Sequence, residues 1–572
     1  MEQIVIKNAK ANNLKNVSLS LPTNKLIAFI GRSGSGKSTL AVEVILSGYY
    51  KKHTNVEVPI KPLLFKQKVT GYLSDSLLSK FVFNKKKVPN DDITLLKYLL
   101  EWKSNSNPLN SNDMIYIVEM LGLNELTLNQ RISHLSLSQY NKVRFIKLLV
   151  HNMDAKLLII DELCAGLIYE EATKISEVYK YLVSKNYTII AVEHSLPIIS
   201  AADYIVELGP GAGSNGGEIV FSNTIEVFKT TKSWKNFESS FSKAISETQG
   251  SKKMLKVFNV NYRQFKKLDI KIPLDGIVSI CGTMGSGKST LLDILFRSYD
   301  KSTDAWKNKE GLDGDISGKN YLRRPYIIDQ TPIGNNSMST PATYTGIFDS
   351  LRLMYFNCNE NKKYKLEKSD FSYNAKGKCL NCNGKGYFED NVDDEQIFIK
   401  CDVCKGLRYN HNVEMVKEHG LSIGEMINIP CGDLYQILNT ANSRCSIAQK
   451  IDFLNSVGLH YLCLGQPSGT LSGGESQRIK IAKELSKKLG DRCLFILDSP
   501  AKGLHYEDLY DVMRMLKLLV SKNNSIVIAE NNPFFINNSD WVLYLENSKI
   551  VFQGKPQELS KKQKLQLGIG VI

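Results

Sequence analysis

The sequence predicts an α/β protein with two tandem domains of the same construction and mainly parallel sheets. Two observations support this prediction. An apolar segment typical of a buried strand runs twice into the pattern G-x-x-G-x-G-K-S-T, once in LIAFIGRSGSGKST and once in IVSICGTMGSGKST. The same series of further motifs then follows each loop in the same order. Parallel strands with a phosphate site at their carboxyl ends explain both observations.

The two glycine-rich loops are candidate ATP sites. The backbone N–H groups of such a loop surround phosphate oxygens, its lysine reaches the β- and γ-phosphates, and the next hydroxyl ligates Mg²⁺. We therefore expect ATP and Mg²⁺ at both loops. The predicted binding residues are Gly31, Gly34, Gly36, Lys37, Ser38 and Thr39 in the first loop, and Gly282, Gly285, Gly287, Lys288, Ser289 and Thr290 in the second.

Four motifs recur downstream of each loop. They are a glutamine after a short apolar strand (Gln67 and Gln330), a signature segment (LSLSQ from Leu135 and LSGGE from Leu471), an apolar strand that ends in acid (Asp161 with Glu162, and Asp498 with Ser499), and a later strand that ends at His194 or Asn531. This ordered set is that of ABC-type ATPases, so we predict two such cassettes.

Because nucleotide in ABC-type ATPases sits between the loop of one cassette and the signature of the other, the motifs form two unequal sites. The first site combines the motifs of the first cassette with the intact signature of the second. Its predicted catalytic residues are Lys37, Gln67, Glu162 and His194, and Asp161 is its predicted Mg²⁺ ligand. The signature residues expected to face them are Ser472, Gly473, Gly474 and Glu475. The second keeps Gln330 and Asp498, but serine and asparagine replace the expected glutamate and histidine. We expect hydrolysis at the first site; the alternative is an ATPase that turns over at neither.

Four cysteines predict a structural zinc site. Two C-x-x-C pairs, Cys379 with Cys382 and Cys401 with Cys404, lie between the second loop and the second signature. Four thiolates close a tetrahedron around Zn²⁺ and leave no position for a reactive water. The remaining cysteines are scattered, as in a protein with reduced thiols. The zinc module is therefore expected as an insertion inside the second cassette.

Several segments resemble the UvrA family, the DNA-damage-recognition ATPases of bacterial nucleotide excision repair. In the second half these are FSYNAKGKCLNCNGKGYFED, CDVCKGLRYN, YLCLGQPSGTLSGGESQRIKIAKELSKK and DQTPIGNNSMSTPATYTGIFDSLR. In the first half they are IKNAKANNLKNVSLSLP, GRSGSGKSTLA and AADYIVELGPGAGSNGGEIV. The resemblance implies a homodimer that binds damaged or ligand-modified double-stranded DNA, with other proteins cutting the DNA.

The chain departs from this family in its first cassette. Full-length members carry a UvrB-binding domain, an insertion domain and a further zinc module there, whereas here only residues 51–130 fill that space and they contain no cysteine. Docking to UvrB is therefore not expected. The predicted organisation is a first cassette at 1–240, a linker at 241–253, and a second cassette at 254–572 with the zinc-containing insertion at 350–465.

Charge and hydropathy bound the function further. The net charge of +15 is compatible with a polyanionic partner, although lysine-rich composition alone also produces basic proteins. The first residues, MEQIVIKNAK, lack the pattern of a signal peptide, and no apolar run approaches the roughly 20 residues of a membrane span. We expect a cytoplasmic protein of DNA repair or of resistance to DNA-targeting compounds. A ribosome-associated tandem-cassette ATPase and the motor of a drug exporter are the alternatives.

Overall fold

The structure is a computed structural model of the 572-residue chain. It describes residues 3–51, 55–66, 111–123, 137–151, 155–211, 213–242, 253–283, 285–297, 313–328, 333–334, 338–392, 395–441, 446–471, 473–486, 491–501 and 504–570. Two compact units are present, Met1–Asp329 with Gly490–Ile572, and Gln330–Leu489. The domain boundaries given above stay predictions.

The first unit contains two halves of like construction. The strands of the first half are β1 Gln3–Ala9, β2 Val17–Pro22, β3 Leu26–Ile30, β4 Val56–Glu57, β5 Pro62–Lys66, β6 Leu157–Asp161, β7 Thr188–Val192, β8 Tyr204–Gly209 and β9 Glu218–Thr224. Those of the second half are β10 Met254–Tyr262, β11 Phe265–Pro273, β12 Ile277–Gly282, β13 Asp313–Ser317, β14 Arg324–Ile328, β17 Cys493–Asp498, β18 Ser525–Ala529, β19 Trp541–Glu546 and β20 Lys549–Gly554.

The sheets of the two halves have the same strand order. A six-stranded sheet runs β5-β6-β7-β3-β8-β9 in the first half and β14-β17-β18-β12-β19-β20 in the second. In each, five strands are parallel and the last is antiparallel to its neighbour. A three-stranded antiparallel sheet accompanies each one, β2-β1-β4 and β11-β10-β13. The predicted α/β fold with mainly parallel sheets is confirmed.

The burial pattern of each strand matches its place in the sheets. All residues of β3, β7 and β18 are buried, as expected of central parallel strands covered on both faces. By contrast, β2 and β11 alternate between buried and exposed residues, so each has one face on the core and one in solvent. The apolar runs of the sequence therefore become sheet centres, and the alternating runs become the outer antiparallel sheets.

Helices cover the two larger sheets. In the first unit they are Ser47–Lys51, Ser111–Met120, Leu137–His151, Tyr169–Ser184, Leu196–Ala201, Ile225–Phe228, Lys232–Ser242, Lys288–Arg297, Tyr506–Val520, Pro533–Asn537 and Lys561–Leu567, and a π-helix spans Thr39–Leu46. The helix Tyr169–Ser184 shows the packing rule, because its buried residues Ile175, Val178, Tyr179 and Leu182 recur every three or four positions. They join one continuous core on one face of the first sheet.

The second unit is mainly helical and carries one hairpin. Its helices are Pro341–Thr345, Ile347–Asn357, Asn361–Tyr364, His411–Glu414, Ile423–Asn428, Cys431–Ala441, Ser446–Ser456 and Gly473–Ser486. The hairpin consists of β15 Tyr387–Val392 and β16 Glu395–Lys400, which pair antiparallel. Within the part of the chain that the structure describes, no helix is both long enough and apolar enough to cross a membrane.

Candidate nucleotide sites and metal centre

The strand order brings the predicted ATP-site motifs together in each half of the first unit. In the first half, β7 lies between β3, which runs into the phosphate-binding loop, and β6, which ends at Asp161. In the second half, β18 lies between β12 and β17 in the same way. Neighbouring parallel strands end at one edge of a sheet. The loop, the acidic strand end and the residue after the later strand (His194 or Asn531, here called the switch residue) therefore meet there.

Both loops have the backbone that phosphate binding requires. Gly31, Gly34 and Gly36 have φ values of 130°, 77° and 103°, and their counterparts Gly282, Gly285 and Gly287 have 149°, 83° and 101°. Side chains disfavour this region, so glycine is needed at these positions. A Cβ on Gly31 or Gly282 would also collide with a carbonyl oxygen of the neighbouring strand.

The loop lysines take equivalent positions. Lys37 Nζ donates to the carbonyl oxygens of Gly31 at 2.7 Å and Arg32 at 2.9 Å. Lys288 Nζ donates to those of Gly282 at 2.7 Å and Thr283 at 3.1 Å. Each ammonium is thus folded back against its own loop, at the place where β- and γ-phosphate oxygens would lie.

Lys37 lies in a buried, negatively charged surrounding. Burial lowers the pKa of Lys37 to about 8, while the nearby charges of Glu162, Asp508 and Asp161 act to raise it. Burial also lowers the pKa of Lys288. A phosphate group would add the counter-charge that favours the protonated lysine, so the electrostatics fit an anionic ligand at both loops.

The acidic strand ends share their backbone conformation and differ in chemistry. Glu162 and Ser499 each follow the strand aspartate, and both are left-handed, with φ values of 56° and 52°. Their amides donate to equivalent carbonyl oxygens, Val192 at 3.0 Å and Ala529 at 2.8 Å. Only the first site offers a carboxylate here. The second places its two predicted Mg²⁺ ligands side by side, since Ser289 Oγ donates to Asp498 Oδ2 at 3.2 Å.

The switch residues, His194 and Asn531, also differ in chemistry between the two sites. Burial and the Lys37 charge hold the pKa of His194 well below its usual range, so its imidazole is neutral. Its equivalent, Asn531, is tied into the protein instead: its Oδ1 accepts from the Gly282 amide at 3.0 Å and its Nδ2 donates to the Gly166 carbonyl at 2.9 Å. The first site therefore has a neutral imidazole at this position. The second has an asparagine whose side chain connects Gly282 to Gly166 through hydrogen bonds.

Two buried glutamates were missed by the sequence reasoning. Glu193 precedes His194 and accepts from the Cys164 amide at 2.9 Å. Glu530 precedes Asn531 and accepts from the Ala501 amide at 2.8 Å. Each therefore fixes the loop that follows the acidic strand of its own half. The signal was present in the sequence as a glutamate before each switch residue, in AVEHS and VIAEN.

Some predicted site residues lie outside the described part of the chain: Gln67, Gln330 and Ser472. The remaining signature residues Gly473, Gly474 and Glu475 form the first turn of the helix Gly473–Ser486. Glu475 accepts a hydrogen bond from the Tyr461 hydroxyl at 2.7 Å. The pairing of each signature with the opposite loop stays a prediction, as do the assigned catalytic roles.

The four predicted zinc ligands converge at the base of the hairpin. Their sulfur atoms all lie within 4.8 Å of one another, and Cys382 Sγ is 3.7 Å from Cys404 Sγ. Sulfur atoms around a tetrahedral zinc, at about 2.3 Å from the metal, are about 3.8 Å apart. All four cysteines are buried, so the donor set fits a closed, structural Zn²⁺ site.

Hydrogen bonds support this centre from a second layer. The Gly386 amide donates to Cys382 Sγ at 3.2 Å, and Asn381 Nδ2 donates to Cys401 Sγ at 3.4 Å. Although burial acts to raise the pKa of Cys401, the N–H donors around it prevail and lower it to about 7. Such donors favour the thiolate, which is the form that binds zinc.

Comparisons with known proteins agree with this architecture. A family model described as ABC transporter matches residues 14–165. The UvrABC system protein A of Helicobacter pylori strain J99 is 34% identical over 463 residues, which are 78% of this chain and 49% of that protein. The chain thus spans about half the length of the curated relatives it matches.

Solved structures show the same fold. The crystal structure of UvrA2 from Deinococcus radiodurans superposes with a TM-score of 0.82 at 20% identity, covering 99% of both chains. A model of ribosome-bound archaeal Pelota and ABCE1 gives a TM-score of 0.55 at 15% identity, covering 99% of this chain and 80% of that chain. The sequence match and the shared architecture lead to one conclusion. Over 78% of its length the chain is similar to UvrABC system protein A, and its fold is that of a protein with two ABC-type ATPase cassettes.

Proposed function

We propose that this protein is an ATP-dependent DNA-binding protein of DNA repair, and that it hydrolyses ATP mainly at the first site. The observation that carries the proposal is the contrast between Glu162 and Ser499, two residues with the same backbone conformation at the same strand end. A carboxylate there can orient and polarise the attacking water, whereas a serine hydroxyl is a much weaker base.

The switch residues support the same assignment. Neutral His194 can contact a γ-phosphate through its ring, while both polar atoms of the Asn531 amide are engaged by Gly282 and Gly166. Mg²⁺, when bound by Ser38 and Asp161, would neutralise phosphate charge. The first site therefore binds and hydrolyses ATP, and the second binds nucleotide and turns it over slowly or not at all.

The hydrolysis proposal is tested by two single variants. Glu162→Gln should reduce steady-state ATPase activity by at least about a hundredfold, because a water-orienting group is lost while nucleotide binding remains. Lys288→Ala should retain a large share of the activity. If Glu162→Gln kept most of the activity while Lys288→Ala abolished it, the assignment of the two sites would be wrong.

Double-stranded DNA with an adduct or a bound ligand is the proposed partner. The homology to UvrA and the net charge of +15 support it, and both are compatible with a homodimer. Docking to UvrB is not proposed, since residues 51–130 leave little chain for a docking domain. Repair of adducts and protection against DNA-targeting compounds are the two roles that this partner allows.

A gel-shift titration tests the partner directly. Intact duplex, adducted duplex and purified ribosomes are each titrated with the protein, in ATP, in ADP and with the Glu162→Gln variant. Preference for adducted duplex, altered by the nucleotide, is the expected result. Binding to ribosomes alone would replace DNA repair by a role in translation.

A further inference from the structure

The first phosphate-binding loop is held by the second cassette through a cluster of charges. Arg32 follows the first glycine of that loop, and its side chain lies against the first turn of the helix Tyr506–Val520. Arg32 Nη2 and Nε lie 2.8 and 3.0 Å from Asp508 Oδ1. Asp511 at 3.3 Å and Glu507 at 3.6 Å complete the cluster.

Asp508 contacts the loop at two points. Besides the Arg32 guanidinium, its Oδ2 accepts from the backbone amide of Ser33 at 3.3 Å. The carbonyl oxygen of Arg32 in turn accepts from Lys37 Nζ. One residue of the loop is therefore linked to the second cassette by its side chain and to the phosphate-binding lysine by its backbone.

The pairing is strong enough to matter because Asp508 is almost fully buried. Only 2% of Asp508 is exposed. Burial acts to lower the pKa of Arg32, yet the charges and hydrogen bond of Asp508, with Glu507 and Asp511, outweigh it, so the pKa is raised. A buried carboxylate that loses its cation destabilises the structure strongly. The charge of that carboxylate also acts on Lys37.

The second loop has a different arrangement. Thr283 stands where the first loop has Arg32, with a short neutral side chain. Glu171, which corresponds to Asp508 in the repeated segment (YEE against YED), has its own partner: Lys142 Nζ lies 3.7 Å from its Oε1. The charge of Glu171 nevertheless acts on Lys288, as that of Asp508 acts on Lys37. Each loop thus has an acidic residue of the repeated segment whose charge acts on its lysine. An arginine after the first glycine is present in the first loop and is replaced by Thr283 in the second.

We propose that Arg32 is a positioning residue, through which the second cassette holds the first phosphate-binding loop in the conformation that accepts ATP. The inference rests on the proposed function, since it concerns the site to which ATP hydrolysis is assigned. Arg32 does not touch the nucleotide in this role. It neutralises Asp508 and fixes the backbone between Gly31 and Lys37, so that the amides of the loop face the phosphates.

The test measures nucleotide binding and not hydrolysis, so it remains valid if the protein proves to have no ATPase activity. Titration with adenosine 5′-(β,γ-imido)triphosphate and Mg²⁺ is performed on full-length protein carrying Lys288→Ala, which leaves the first site. We expect Arg32→Leu to weaken binding by about tenfold. Adding Asp508→Asn to it should restore binding to within about threefold, because no buried charge is then left unpaired.

Two outcomes would overturn the proposal. In a Lys37→Ala background, which leaves the second site, Arg32→Leu should change binding by less than about twofold; an equal loss at both sites would mean general destabilisation. Failure of Asp508→Asn to rescue Arg32→Leu would mean that Arg32 binds phosphate itself. Lys15→Leu is the matched control, because Lys15 forms an exposed pair with Glu218 at 3.0 Å and should have no effect.

Discussion

The buried carboxyl group of Glu193 predicts that the stability of the first unit depends on pH. Burial raises the pKa of Glu193 to about 8 in the folded protein, against an ordinary value of 4.5. Between these two values the folded state keeps a proton that the unfolded chain releases. Stability therefore falls as pH rises through this window, by up to about 1.4 kcal/mol per pH unit for this one group.

Glu193→Gln removes the titration and keeps the shape. The amide oxygen of glutamine can still accept from the Cys164 amide, which now donates to an oxygen of the Glu193 carboxyl group at 2.9 Å. The variant should match the wild type near pH 5 and become the more stable protein by pH 8. Burial raises the pKa of Glu530 too, so Glu530 also makes the stability of the folded protein fall as pH rises.

Thermal unfolding followed by calorimetry at pH 5, 6, 7 and 8 measures this effect. The quantity of interest is the difference in melting temperature between variant and wild type at each pH. Glu226→Gln is the control, because it makes the same substitution at an exposed glutamate. If Glu193→Gln were destabilising by the same amount at every pH, a proton held by the buried Glu193 carboxyl group would not be the cause of the pH dependence.

Three further outcomes are expected. Cys401→Ser should abolish the binding of one zinc per chain, measured as metal released by a thiol reagent, and should lower the melting temperature of the second unit, because one of four ligands is lost. Gly287→Ala should weaken nucleotide binding at the second site, measured by equilibrium titration, while hydrolysis at the first site persists. The reason is that Gly287 has a φ of 101° and that a Cβ there would lie 2.6 Å from Phe265 Cζ. Asn531→Ala should lower the unfolding free energy by about 1–3 kcal/mol, because the buried Gly282 amide and the Gly166 carbonyl lose their partner; an unchanged unfolding curve would contradict this.

The local sequence predicted the elements that carry chemistry because their signals are local. The glycines of the two loops need positive φ values, and the four cysteines need only short spacings on either side of a hairpin. Apolar runs before Lys37 and Lys288 became fully buried central strands. In each case the physical requirement is met within a few residues of chain, so the pattern is visible without a fold.

Contacts between distant segments could not be predicted in this way. Arg32 and Asp508 are far apart in the sequence, and nothing in GRSGSGKST indicates which carboxylate its arginine meets. The bond from Asn531 to the Gly166 carbonyl is of the same kind. Even Glu193, which the sequence places beside His194, is identified as a buried proton-holding group only by the packing around it.

Residue types and their spacing alone predicted two phosphate-binding loops, one complete set of candidate catalytic motifs, a four-cysteine candidate metal site and a UvrA-like order of segments. These are properties of residue type and short spacing. The tertiary structure was needed to show that Glu162 and Ser499 share one backbone conformation, and that Asp508 contacts the first loop. Burial and charge pairing depend on which surfaces meet, and that is settled when the two sheets and their helices pack.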